Sequence, residues 1–80
     1  MPPRATPRPS TLAELRVGDE AVVTEVRAGP AEVERLAALG LLQGVSLRLL
    51  RQGSTLAVAV GEARIALGRR WAKALCIVLV

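Results

Sequence analysis

The chain has no histidine, phenylalanine or tyrosine, and it has only one cysteine and one tryptophan among its 80 residues. Histidine is the commonest general acid or base at neutral pH, and the single thiol, Cys76, has no candidate partner to activate it. A zinc site, which requires Cys and His at close spacing, is equally hard to assemble. One cysteine also excludes an intrachain disulfide, and because Cys76 lies within the apolar run from Leu75 to Val80 we expect it to be buried and inert.

Motifs that bind phosphate are missing as well. Neither a GxxxxGK[ST] pattern nor a GxGxxG pattern occurs. Glu32 and Glu34 stand two positions apart on a predicted helix, where they point in different directions and do not share an ion. With base, nucleophile, metal cluster and phosphate loop all absent, the sequence predicts a binding protein and not an enzyme, with no catalytic residue, metal or cofactor.

Long apolar segments are also absent. The longest apolar run, Ala74 to Val80, is far shorter than the roughly 20 residues that span a bilayer. The first nine residues hold four prolines and two arginines and lack the apolar segment of a secretory signal. This composition predicts a disordered leader at 1–9, followed by one domain at 10–80, and we expect a cytoplasmic location.

Positive charge is in excess but scattered. The net charge is +4, and the only basic cluster is formed by Arg69, Arg70 and Lys73. Proteins that bind nucleic acid present a continuous basic surface, and those that bind single strands stack bases on several aromatic rings. We therefore expect no nucleic-acid partner. An SH3-like nucleic-acid binder, with affinity that falls steeply with salt, stays open as an alternative.

The first half of the chain predicts one strand and one helix. Thr11 and Glu14 have capping-box spacing, which indicates a helical turn from Thr11 to Leu15. A strand is predicted over 20–26, with a bulge near Thr24 or Glu25 because its valines break strict alternation. Apolar residues at helical spacing predict a helix over 31–39 that ends at Gly40.

The second half alternates with a period of two. Strands are predicted from Val45 to Leu50, from Thr55 to Val60 and from Ala63 to Leu67, with a 3₁₀-like turn over 68–74 before a last strand at 75–79. Because so small a chain cannot leave one face of its sheet exposed to solvent, we expect the sheet to curl on itself. The predicted fold is mainly β: a five-stranded, partly open barrel with one inserted α-helix and short 3₁₀ turns.

Three segments together resemble FeoA domains: Thr11 to Asp19, the run R-L-A-A-L-G-L-L-Q-G at 35–44, and the stretch from Ile65-Ala66-Leu67 to Ile77-Val78. The resemblance covers about 10–80. It implies an SH3-like barrel that acts in bacterial ferrous-iron uptake by contacting the cytosolic part of the FeoB transporter, a GTPase. A related SH3-like domain also ends some iron-dependent repressors. The family supplies no agreed catalytic or metal-binding residues.

The sequence departs from many FeoA members at 51–55, where R-Q-G-S-T replaces a longer loop. If that loop touches the transporter in other members, the contact made by this chain, including that of Arg51, must differ.

Two groups of side chains are candidates for partner binding. The first is Trp71, either a barrel lid or an interface anchor, together with Arg69, Arg70 and Lys73, which could meet an acidic surface or simply be solvated. The second consists of three leucines that either plug the barrel end or offer an apolar surface: Leu39, Leu41 and Leu42.

Two further questions stay open at the level of sequence. A ferrous-iron carrier would require a site of carboxylates with the thiolate of Cys76, and its iron affinity would be lost on changing Cys76 to Ser. The oligomeric state is equally open, because a last strand of Leu, Ile and Val could pair with another chain if it were exposed.

Overall fold

A computed structural model describes residues 9–80, so all but the last residue of the leader predicted at 1–9 lies outside the described residues, and that last residue, Pro9, begins the first strand. A 3₁₀ turn covers Leu12–Glu14. The strands are β1 (Pro9–Thr11), β2 (Glu20–Val26), β3 (Ser46–Arg51), β4 (Thr55–Val60), β5 (Ala63–Gly68) and β6 (Leu75–Leu79), and the helices are α1 (Pro30–Ala38) and α2 (Arg69–Ala72). No helix in this part of the chain is long and apolar enough to cross a membrane.

The strands form one antiparallel sheet in the order β1-β6-β2-β3-β4-β5. The mainly-β, partly open barrel is therefore confirmed, but it has six strands and not five. The additional strand is β1, in which Ser10 lies opposite Ile77 and Thr11 opposite Cys76. Its first residue, Pro9, has no backbone N–H, a defect that sheets tolerate at an edge.

The last strand lies inside the sheet. Strand β6 pairs with β1 on one side and with β2 on the other, so the expectation that it could be exposed to another chain is wrong. The short β1 occupies the edge that β6 would otherwise present. In the described chain, the outer strands are β1 and β5.

The predicted bulge in β2 is confirmed. Val23 lies opposite Ile77, while Glu25 lies opposite the very next residue, Cys76, so Thr24 is the additional residue. Ala21 and Val23 are buried before the bulge and Thr24 and Glu25 are exposed, and the additional residue allows Val26 to pack against the core. It explains why the valines of this segment do not alternate strictly.

The core is entirely aliphatic. Its largest fully buried side chains come from the 3₁₀ turn, from β2, β3, β4 and β6 and from the connection after α1, and are Leu12, Leu41, Leu49, Leu56, Leu75, Ile77, Val23 and Val58. Each contributes about 1.5–3 kcal/mol by leaving water. Cys76 is only half-buried, contrary to the expectation of burial, because Leu75 and Ile77 face the core and the residue between them points to the other face of the sheet.

The two helices are weakly embedded. Helix α1 begins with Pro30 and buries a single side chain, Leu36. The segment predicted as a 3₁₀-like turn forms the short α-helix α2, which is held down by Ala72, its one buried residue. The predicted turn at Thr11 is a 3₁₀ turn in which the Thr11 backbone N–H donates to Glu14 Oε1 at 3.0 Å.

The connection from α1 to β3 depends on a glycine conformation. Gly44 has φ +94°, and a Cβ added there would meet no atom within 4 Å. Its N–H donates to the Val23 carbonyl at 2.7 Å, which fastens the connection to β2. A side chain at this position would therefore fit in space but strain the backbone.

We expect Gly44→Ala to lower the free energy of unfolding by about 1–2 kcal/mol, the cost of a left-handed conformation for an L-residue. The matched control is Gly53→Ala, because Gly53 has no positive φ and an added Cβ would make only an ordinary contact, 3.9 Å from the Thr55 carbonyl. Urea denaturation followed by circular dichroism measures both changes. Equal losses in the two variants would contradict the assignment of strain to Gly44.

Candidate functional site

Side chains from both predicted groups meet in one surface groove. This α1–α2 groove lies between α1, β5 and α2 and encloses about 200 Å³. Eight residues line it: Arg35, Leu36, Leu39, Ala66, Leu67, Gly68, Arg70 and Trp71. Residues far apart in the sequence are thus brought together at one end of the barrel.

Trp71 has two roles in this arrangement. It is half-buried and packs against the core, as a barrel lid would, and it also lines the groove. The guanidinium carbon of Arg70 lies 5.0 Å from the centre of the indole ring. A cation over an indole face is attracted by the ring's quadrupole, so Arg70 and Trp71 form one unit of the groove wall.

The opposite wall is formed by α1. Leu39, at the end of this helix, is 50 % exposed, and Arg35 lies one helical turn before it on the same face. Arg35 was not among the predicted site residues. Its spacing of four from Leu39 was the signal in the sequence that could have identified it.

The other predicted residues lie outside the groove. Leu41 is completely buried in the core and offers no surface to a partner. Leu42 is 44 % exposed but lines a different hollow with Val33 and the bulged end of β2. Arg51 and Lys73 are exposed at the ends of β3 and α2.

Arg69 serves as a tether. Its Nη1 donates to the Gly53 carbonyl at 2.9 Å, which joins α2 to the loop between β3 and β4. Gln52 in the same loop donates through Nε2 to the carbonyls of Ala13, at 3.3 Å, and Leu15, at 3.0 Å. The sequence carried no local signal for these contacts, because their partners are distant along the chain.

All charged side chains in the lining of the groove are positive. Its lining contains Arg35 and Arg70 and no carboxylate. In residues 9–80 the ion pairs lie elsewhere, between Arg48 and Glu20 at 2.7 Å and between Arg27 and Glu25 at 3.3 Å. Both pairs are largely exposed and contribute little to stability.

The described part of the chain holds no set of three or more Cys, Asp or Glu residues placed to bind a metal ion. Its core also contains no polar or charged side chain. An exposed leucine, an indole and two guanidinium groups around a shallow groove are suited to binding another molecule through its surface.

The comparison with family models identifies one family. A FeoA domain model matches residues 10–79. The solution NMR structure of a FeoA protein from Chlorobium tepidum is 34 % identical with a TM-score of 0.83, covering 89 % of this chain and 70 % of that one. The crystal structure of an iron uptake regulatory protein (FeoA) has a TM-score of 0.85 over 91 % of this chain and 99 % of that one; at 23 % identity this likeness concerns the fold, which is SH3-like.

A repressor shares the same fold. A manganese-dependent transcriptional repressor in complex with manganese is 28 % identical with a TM-score of 0.84. The match covers 94 % of this chain but only 38 % of the repressor, so the likeness concerns one part of that protein. No protein among those with curated functions matches the chain.

The tether of the β3–β4 loop generates a prediction. We expect Gln52→Ala to lower the free energy of unfolding by about 1 kcal/mol, because it removes two hydrogen bonds, one to the part-buried Leu15 carbonyl. The same substitution at Gln43, an exposed glutamine in another connection, should leave stability nearly unchanged. Urea denaturation of both variants measures the difference, and an unaffected Gln52→Ala protein would show that the tether is energetically neutral.

Proposed function

The chain belongs to the FeoA domain family, and from that premise we propose that it is an accessory or regulatory binding module of bacterial ferrous-iron uptake. It acts by contacting the cytosolic part of a FeoB-type GTPase transporter. The module is non-enzymatic, works in the cytoplasm, needs no cofactor and approaches the membrane only through its partner.

The observation that carries this proposal is the α1–α2 groove. Trp and Arg are among the residue types most enriched in side chains that dominate binding energy, and the groove lining contains the only tryptophan of the chain and two arginines. Leu39 adds an apolar side chain that the fold leaves half in water. These features favour a protein partner over a small substrate.

The short β3–β4 loop supports placing the contact at the groove. Gln52 fastens this loop to the chain at 13–15, and Arg69 fastens it to α2, so the loop lies against the barrel and does not extend from it. Arg51 at its start and Lys73 beyond α2 are exposed outside the groove lining, and their positive charge would favour an acidic partner.

A second candidate function is an iron-responsive regulatory domain with a different partner. The observation that favours it is the 28 % identity to part of a manganese-dependent transcriptional repressor. A nucleic-acid-binding form of this candidate has less support, because Arg27 and Arg48 are paired with carboxylates and interrupt any continuous basic surface.

Recovery of the transporter tests the proposal directly. Tagged full-length protein, mixed with detergent extract from iron-starved cells of its own source, should retain a GTPase transporter. Leu39→Ser should reduce the recovered amount about fivefold or more, the effect of losing one dominant interface side chain. Trp71→Ala is a poorer choice because Trp71 also packs against the core.

The matched control is Leu42→Ser, since Leu42 is similarly exposed but lies outside the groove. It should bind like the unaltered protein. Recovery of a DNA-binding regulator in place of a transporter would favour the second candidate function. Recovery of neither would contradict both.

Iron affinity gives a separate prediction. We expect Fe²⁺ to bind weakly in anaerobic titration calorimetry and Cys76→Ser to leave that weak binding unchanged, because no metal-binding cluster occurs in residues 9–80. Tight binding that is lost with the thiol would instead support an iron carrier.

A further inference from the structure

We propose that the α1–α2 groove recognises an acidic, apolar segment of its protein partner, in which carboxylate side chains alternate with leucine-like ones. This inference rests on the proposed function, because it names the chemistry by which the transporter would be held.

The apolar surface of the groove comes from its floor and one wall. The aliphatic floor consists of Ala66, which is exposed, above Leu36 and Leu67, which are buried, and the exposed side of Leu39 adds apolar surface at the rim. Strand β5 contributes to this floor and is an outer strand of the described sheet. An aliphatic side chain entering the groove would remove apolar surface from water on both molecules.

The positive charge of the groove comes from its two arginines. Arg35 stands on α1 and Arg70 on α2, and neither forms an ion pair within residues 9–80. A guanidinium presents a planar fork of N–H donors that fits a carboxylate, and Arg70 can keep its stacking on the indole while it donates. With no carboxylate in the lining, an acidic ligand meets attraction from both walls.

The combination of apolar surface and positive charge selects the class of partner. A nucleic acid or a lipid headgroup would use the charge but not the aliphatic floor, and a single indole is too few for stacking successive bases. A neutral apolar peptide would leave both arginines without partners. An acidic segment with interspersed leucines satisfies both features at once.

The chain contains its own reporter for a binding test. Trp71 is its only tryptophan and there is no tyrosine, so the intrinsic fluorescence comes from the groove wall alone. The probe is a short synthetic peptide in which Asp and Leu alternate. Its counterparts are the same peptide with Asn for Asp and the same peptide with Ser for Leu.

We expect the Asp/Leu peptide to shift the Trp71 emission and to bind more tightly than either counterpart. Its preference over the Asn/Leu peptide should decrease as salt is added.

Arg35→Gln should weaken binding of the Asp/Leu peptide about two- to fivefold, the range for one partly exposed ion pair. Arg64→Gln, an exposed arginine of β5 outside the lining, should have no effect. Anisotropy of a labelled peptide gives an independent readout for Arg70→Gln, since Arg70 touches the fluorescent ring.

Equal binding of the Asp/Ser peptide, or of a single-stranded oligonucleotide, would overturn the proposal in favour of a general anion site. Binding of the transporter to the groove variants distinguishes failure of this inference from failure of the proposed function. If the transporter binds and Arg35→Gln and Leu39→Ser leave that binding unchanged, the groove inference fails and the proposed function stands. If the peptide binds in the groove and no transporter is recovered, the groove inference stands and the partner is a different acidic protein.

Discussion

The pairing of β6 between β1 and β2 is the contact on which the rest of the molecule depends. It brings the beginning and the end of the described chain into one ladder, and Leu75 and Ile77 fill the centre of the core from this strand. The chain that leads into β6 is α2, so the same pairing fixes the position of Trp71. A contact between Arg27 N–H and the Ala74 carbonyl, at 2.7 Å, continues the β2 ladder to the end of this helix.

Local pattern was enough to predict most of the strands, because β3, β5 and β6 alternate between buried and more exposed side chains and β2 departs from alternation only at its bulge. The boundaries of β2 and β6 and the bulge after Val23 followed from the placement of valine and leucine alone. Strand β1 could not be predicted in this way. Its three residues, Pro, Ser and Thr, have no apolar alternation, and their strand structure exists only because β6 offers a partner.

The site was predicted in pieces but not as a whole. Trp71, Arg70 and Leu39 attracted attention because an indole in a charged turn and surplus leucines at a helix end have weak structural explanations. That they share one groove depends on where the fold places α1 relative to β5 and α2, which no spacing in the sequence encodes. The same limitation placed Leu41 among the candidates: three neighbouring leucines look alike in the sequence, yet one is fully buried and two are about half-exposed.

The weak attachment of both helices is what leaves a groove at this end of the barrel. Because α1 buries only Leu36 and α2 only Ala72, neither helix lies flat on the sheet with a broad apolar face. A wider face on α1 would add stability but would close the space between Leu39 and Trp71. In a chain with one aromatic residue, Trp71 must therefore both complete the core and form the groove wall, so substitutions there change folding and binding together, whereas Leu39 and Arg35 separate the two.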